Sequence, residues 1–247
     1  VNDKSTDDTL EIAQAFSEKD ERKRFKIISH LKNRGLAAVR NTGLLASKGE
    51  YIWHIDGDDY LGITYAAEYI IQKFVKEKVS VIKVGVYEEL QKDDFQKNCQ
   101  QKDYSELEVV CEINTPSNLL NTNGLGGVFG YIFNRNLAID LGFRNIEGIN
   151  IGEDQILLAQ LYRAVPTILV IKNYFYVYDK TDSSLMRSKW NLERFLEDRI
   201  YIYFAMELFG RNSANFGNLA KQRLGYIYKD QIKKAKNDFP EPFAKLL

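Results

Sequence analysis

Cysteine is scarce, with 2 in 247 residues. Cys99 and Cys111 form no Cys-x-x-Cys pair and cannot make a disulfide framework, which favours a reducing compartment. Only 4 prolines stand against 16 glycines, which excludes collagen-like and Pro-rich disordered chains. The 2 histidines, His30 and His54, lack metal-ligand spacing and leave little room for a serine triad. The longest apolar stretches, such as 164–171, fall far short of the roughly 20 residues a membrane span requires. Neither sign of charge dominates: Lys+Arg and Asp+Glu are both 34. That balance removes the global electrostatic reason to expect a nucleic-acid partner. There is also no Asn-x-Ser/Thr acceptor, and with the cysteine usage this leads to the expectation of a cytoplasmic protein. What remains is 45% hydrophobic and 28% charged, a soluble globular balance with ample material for a core.

The pattern along the chain alternates strands and helices. Val1-Asn2-Asp3 reads as the last step of a strand running into a turn. Thr6 to Thr9 offers capping oxygens to a helix carrying Leu10, Ile12, Ala13 and Phe16. Phe25–Ile28 is a short strand candidate, 35–48 a helix closed by Gly49, and Tyr51–Ile55 a strand. A helix is expected at 65–78 and a buried strand at 79–87. This alternation predicts an α/β domain with a largely parallel sheet. Residues 88–112 read as a variable loop with a hairpin. Strands are then expected at 131–133 and 167–178, with helices near 137–141 and 155–162. Residues 186–247 form a helical extension, with a Lys-rich helix near 222–236.

The strongest local signal for chemistry is His54-Ile55-Asp56-Gly57-Asp58-Asp59. Two carboxylates one residue apart at the carboxyl end of a strand can share a hard divalent cation such as Mg²⁺ or Mn²⁺, which prefers oxygen ligands. In open α/β sheets, ligands gather outside those strand ends. A solvated Asp-rich turn would look the same. An EF-hand is excluded, because Leu61 and Ala67 stand where that loop needs Gly and Glu. Phe129 breaks the dinucleotide fingerprint after Gly124 and Gly126. No Gly-Lys-Ser/Thr phosphate loop and no Gly-x-Ser-x-Gly elbow occur.

Several stretches in register resemble the family two (GT-A fold) glycosyltransferases. Val1-Asn2-Asp3-Lys4-Ser5-Thr6-Asp7-Asp8-Thr9 is similar to that family's Asp-Gly-Ser-x-Asp-x-Thr turn, with Lys4 in place of Gly. Asn33-x-Gly35 and Val39-Arg40-Asn41-x-Gly43 follow, then Gly49-Glu50-Tyr51-Ile52 leading into Asp56-x-Asp58. Gly142-Phe143-Arg144 and Gly152-Glu153-Asp154 resemble the acceptor-side segment and its Glu-Asp pair. The order agrees from residue 1 to about 185. The family's first strand, first helix and most of its second strand have no counterpart, so an N-terminally truncated domain is expected.

The resemblance implies a GT-A-like domain over 1–185, a mostly parallel sheet flanked by helices, and metal-dependent, inverting transfer from a nucleotide sugar in bacterial surface polysaccharide synthesis. Asp3 and Ser5 would meet the nucleotide base, Arg34 and Arg40 the ribose or diphosphate, and Asp56 the ribose. Asp56 and Asp58 would form the Mn²⁺ or Mg²⁺ site. Asp154 would be the general base and Glu153 its positioning neighbour, although both also read as acids favoured at a helix N-terminus. Val128–Phe133 and Asp179–Arg187 would border the acceptor. The expected partners are a UDP-sugar donor and a saccharide or lipid-linked acceptor, with peripheral contact of the Lys-rich helix to the membrane. The alternatives are a sugar nucleotidyltransferase and a non-catalytic nucleotide- or sugar-binding fragment.

Overall fold

The computed structural model describes residues 1–62, 66–89, 111–123, 126–149 and 152–180. The expectations for the loop at 90–110, the Thr181–Ser184 loop, the domain end at 185 and the helical extension 186–247 lie outside these residues. Asn2 forms an isolated parallel bridge with Ser29: its N–H donates to the Ile28 carbonyl at 2.8 Å and its carbonyl accepts from His30 N–H at 2.9 Å. Pairing therefore falls just beyond the expected 25–28 strand. α1 (Thr9–Glu18) opens with Asp7 accepting the Thr9 N–H at 3.2 Å, and it buries none of its residues. α2 (Leu36–Ala46) buries Ala37, Ala38, Arg40, Asn41 and Leu44. It ends before Gly49, where the Ser47 hydroxyl donates to the Leu44 carbonyl at 2.7 Å.

Beyond α2 come β1 (Tyr51–Trp53), β2 (Tyr60–Leu61), α3 (Ala66–Glu77), β3 (Val81–Glu89), β4 (Cys111–Asn114) and α4 (Pro116–Asn123). A single 3-10 turn at Val128–Gly130 leads into β5 (Tyr131–Asn134), α5 (Arg135–Asp140), α6 (Glu153–Ala164) and β6 (Ile168–Asp179). The sheet order is β1-β5-β3-β6-β2, and β4 also pairs with β6.

The α/β architecture is as expected, but the sheet is mixed rather than mostly parallel. Among the described strands only the β3–β6 ladder is parallel. β1 and β3 do run the same way, as a β-α-β crossover through α3 requires. The gap this leaves is filled by β5, antiparallel to both. β2 and β4 are antiparallel additions to the two halves of β6.

Alternate residues of β5 and β6 feed two cores, as a period of two demands. Tyr131, Phe133, Ile168 and Val170 face α6 and its buried Ile156, Leu157, Leu158 and Leu161. Ile132, Leu169 and Ile171 join Ile70, Ile82, Val84, Phe175 and Tyr176 on the other face. The β3–β6 register shifts around Gly85, where a Cβ would lie 2.5 Å from the Asn173 carbonyl oxygen. Glycine is needed there for the strands to approach. No helix among the described residues is long and apolar enough to cross a membrane.

Candidate active site

Asp3 lies where the first bridged segment ends, and its carboxylate caps the start of α2. It accepts N–H bonds from Arg34 (3.0 Å) and Gly35 (2.7 Å) and a 2.6 Å bond from His30 Nδ1. A carboxylate at pH 7 only accepts, so Nδ1 carries the proton; in the neutral ring Nε2 then accepts from the Thr42 hydroxyl at 2.9 Å. Burial pushes the Asp3 pKa up, but these donors outweigh it and hold the carboxyl below its ordinary value. Ser5 is exposed, and its backbone N–H donates to Asn2 Oδ1 at 3.1 Å. Lys4, where the resembling family has Gly, sits at φ 62° in the left-handed region. The Arg34 guanidinium reaches the Glu147 carboxylate at 2.8 Å on the surface.

Arg40 is buried on α2, and its two terminal nitrogens are both engaged. One meets Glu153 Oε1 at 2.5 Å, the other both oxygens of Asp56 at 2.9 and 3.1 Å. Its Nε is buried without a partner. Burial alone would lower the guanidinium's pKa, but the charges of Asp56, Glu153 and Asp154 raise it. Arg40 thus joins the loop after β1 to the first turn of α6. Beside it, Asn41 Nδ2 donates to the Asn145 carbonyl at 2.9 Å and Asn41 Oδ1 accepts the Asn145 N–H at 2.9 Å, tying α2 to the segment before α6. His54 has a buried, unpartnered Nε2. Burial and the nearby Arg40 charge push its pKa down to about 3, so the ring is neutral.

Gly152, at φ 82°, turns the chain so that α6 presents Glu153 inward and Asp154 beside it. Burial and the Asp154 charge push Glu153 up to about 7, against the pull of Arg40. Burial likewise raises Asp154, whose Oδ2 accepts the Val128 N–H at 3.3 Å. A carboxyl lifted above its ordinary range is a better proton acceptor near neutral pH. Its surroundings include the buried pair Tyr131 and Tyr162, whose hydroxyls lie 2.6 Å apart.

The 56–59 loop is held from β6. The Tyr176 hydroxyl donates to Asp59 Oδ2 at 2.5 Å and accepts the Asp56 N–H at 3.1 Å, while Asp179 N–H donates to Asp59 Oδ1 at 2.9 Å. Burial pushes Asp59 up to about 6 in spite of these donors. Asp58, in contrast, is exposed and bonds to nothing described. Among the described residues no group of three His, Cys, Asp or Glu side chains converges on a metal position. Asp56 is engaged by Arg40, so of the two carboxylates expected to share a cation only Asp58 is free. A single carboxylate with ligand oxygens suits Mg²⁺ or Mn²⁺, which commonly uses one or two carboxylates plus phosphates.

The structure therefore gathers Arg40, Asp56, Glu153 and Asp154, leaves Asp58 exposed two residues from Asp56, and puts Asp3 and Arg34 at the start of α2. It gives Arg40, expected at the ribose or diphosphate, to two acids. His30 and Tyr176 escaped the sequence reading. Their only signals were a histidine at a strand end and a tyrosine two residues from Tyr178 in an aromatic run.

Comparison with known proteins bears on the family and the fold. The model of "Glycosyl transferase family 2" matches residues 1–138. The uncharacterized glycosyltransferase EpsJ of Bacillus subtilis is 24% identical over 193 residues, 75% of this chain and 53% of its own. Glycosyltransferase GlyA of Streptococcus pneumoniae is 30% identical over 200 residues, 77% of this chain but 27% of its own. The chain thus spans about half or less of these two relatives. The crystal structure of S. aureus TarS 1-349 in complex with UDP-GlcNAc superposes with a TM-score of 0.65 at 20% identity, covering 83% of this chain and 56% of that one, a likeness of fold. With over half its length matched by the family's model, the chain belongs to glycosyl transferase family 2.

Proposed function

We propose that this chain is the nucleotide-sugar-handling part of a metal-dependent, inverting glycosyltransferase that builds a bacterial surface polysaccharide at the cytoplasmic side of the membrane. The observation that carries the reading is the buried Arg40, which ties the Asp-x-Asp loop to the Glu153-Asp154 turn. Donor-side and acceptor-side acids are thereby held in one rigid unit, as a transferase that must align two substrates requires.

In this reading the donor is a UDP-sugar, and the UDP-GlcNAc bound by TarS supports that choice. Asp3 and Ser5 face the base, Arg34 lies toward the ribose or diphosphate, and Asp56 meets the ribose with the oxygen surface that Arg40 leaves open. Asp58 would hold Mn²⁺ or Mg²⁺, which supplies charge neutralisation at the diphosphate. Asp154 takes the proton from the acceptor hydroxyl as its oxygen bonds to the anomeric carbon and the bond to the diphosphate oxygen breaks. Attack opposite the leaving group inverts the anomeric centre. Glu153 and Arg40 are positioning residues that fix Asp154 and the loop. The acceptor is a saccharide, free or lipid-linked.

The test is a panel of nucleotide sugars with Mn²⁺ and saccharide acceptors, read as nucleoside diphosphate release and product mass. Release of nucleoside diphosphate with a new glycoside is the expected result. Pyrophosphate release would make the enzyme a sugar nucleotidyltransferase instead.

A further inference from the structure

A cavity of about 390 Å³ opens between β3, β6 and the glycine-rich approach to β5, along the 128–133 stretch expected to border the acceptor. Its lining includes Lys83, Gly85, Gly127, Phe129, Tyr131 and Tyr178. It shares a wall with the candidate base, since Gly127 precedes the Val128 N–H that bonds to Asp154, and the Tyr131 hydroxyl feels the Asp154 charge.

Lysines at this cavity differ in one respect. Lys172 is paired with Glu112 at 2.8 Å, and Lys180, just beyond Tyr178, is paired with the Glu88 that also lines the cavity. Lys83 is half-buried and, among the described residues, has neither a carboxylate nor a hydrogen-bond acceptor; its ammonium rests 5.5 Å from the centre of the Tyr131 ring. Burial alone acts on it, and pushes its pKa down. A half-buried cation with no ion-pair partner of its own, in a cavity whose one lining carboxylate, Glu88, is already paired with Lys180, is an unfilled electrostatic demand. The other walls are aromatic: Phe129 stacks on Tyr178 with ring centres 5.4 Å apart. Backbone is laid bare at four glycines, 85, 126, 127 and 130.

We propose that this cavity is the acceptor subsite and that it selects an acceptor bearing an anionic group, a phosphodiester or a carboxylate, seated against the Lys83 ammonium. The inference rests on the transferase reading above and adds the acceptor's chemical class to it. The anion would anchor one unit of a polyhydroxylated chain while a neighbouring hydroxyl reaches Asp154 past Tyr131 and Val128.

Calorimetric titration of the 247-residue chain with glycerol 3-phosphate, glucuronate and glycerol, each with a saturating UDP-sugar, tests this. At least one anion is expected to bind saturably and glycerol not to. Whichever anion binds more tightly identifies phosphate or carboxylate as the source. Lys83→Met should weaken anion binding at least tenfold and Lys83→Arg by less than threefold, while Lys172→Met, whose cation is already paired, has little effect. Equal anion affinity in wild type and Lys83→Met overturns the proposal, as does glycerol binding as tightly as the anions. If Lys83→Met does not fold, amine acetylation of the wild-type chain keeps the test open. Glycerol 3-phosphate or glucuronate should protect Lys83 where glycerol does not, and lack of protection overturns the proposal. A chain that releases nucleoside diphosphate yet binds neither anion overturns the subsite and leaves the transferase reading standing. A chain that binds anions at Lys83 but turns over no nucleotide sugar keeps the anion site and overturns that reading.

Discussion

Asp56 and Asp58 are two residues apart and live in opposite surroundings. Asp56 is locked to Arg40 and, through its N–H, to Tyr176; Asp58 stands in solvent with no described partner. The contrast extends outward from them. On the Asp56 side lies a closed group in which one guanidinium serves Asp56 and Glu153 directly and Asp154 through its field. Outside it, the Arg34–Glu147 pair is exposed and α1 buries nothing. The closed group fixes the loop and the α6 turn relative to each other, whereas Asp58 is left with both oxygens open to a ligand.

Breaking the closed group should cost most. Arg40→Met leaves Glu153 buried without its cation, and removing one partner of a buried pair typically destabilises by about 3–5 kcal/mol. Adding Glu153→Gln should recover part of that loss in a double-mutant cycle measured by urea unfolding. The same truncation outside the closed group, Arg34→Met, should cost no more than about 1 kcal/mol.

Tyr176→Phe tests how the loop between the two environments is held. It removes the donor to Asp59 and the acceptor for the Asp56 N–H, an expected loss of about 1–3 kcal/mol. If the loop presents Asp58 to the donor, Mn²⁺-dependent nucleotide-sugar affinity should fall as well. Unchanged affinity would separate loop order from donor binding.

The closed group also has a pH signature. The Glu153 pKa is raised in the folded chain to about 7, so the native state binds a proton that the unfolded chain releases near the ordinary glutamate value. Its contribution is fully present below that unfolded pKa and is lost as pH rises through about 7. Asp59, raised to about 6, acts in the same direction. His54, held down at about 3, acts in the opposite sense below its ordinary value. The urea midpoint should therefore decline between about pH 4.5 and 7 only by the amount that Glu153 and Asp59 exceed it. Glu153→Gln should flatten that slope.

The smallest effect is expected at Lys4, outside the closed group. Lys4 holds φ 62°, a conformation that glycine adopts without steric cost. Lys4→Gly should stabilise the chain by up to about 1 kcal/mol, read as a higher urea midpoint.

Much of this contrast was hidden in the sequence. Helices α2 and α6 and strands β5 and β6 were legible because their apolar spacing is strong and local. The direction of β5 was not, since nothing in Tyr131–Asn134 records that two strands running the same way would leave a gap between them. β4 and α4 were missed within and just after a polar stretch read as loop. The site acids were legible as motifs. The partner of Arg40 was not legible, because Glu153 is 113 positions away and a guanidinium fork suits a carboxylate as well as a phosphate. His30 was set aside for lack of metal spacing, when its role is to hold Asp3 to Thr42.

The division between closed and open acids is tested most directly by comparing Asp154→Asn with Asp58→Asn. Donor titration with Mn²⁺ is run beside a nucleoside-diphosphate release assay for both variants. Asp154→Asn should keep wild-type donor affinity and lose about 10²–10⁴-fold in turnover, because an amide cannot take the acceptor proton. Asp58→Asn should lose metal-dependent donor affinity and turnover together. An Asp154→Asn variant that turns over like wild type, or that loses donor binding as badly as Asp58→Asn, would contradict the account.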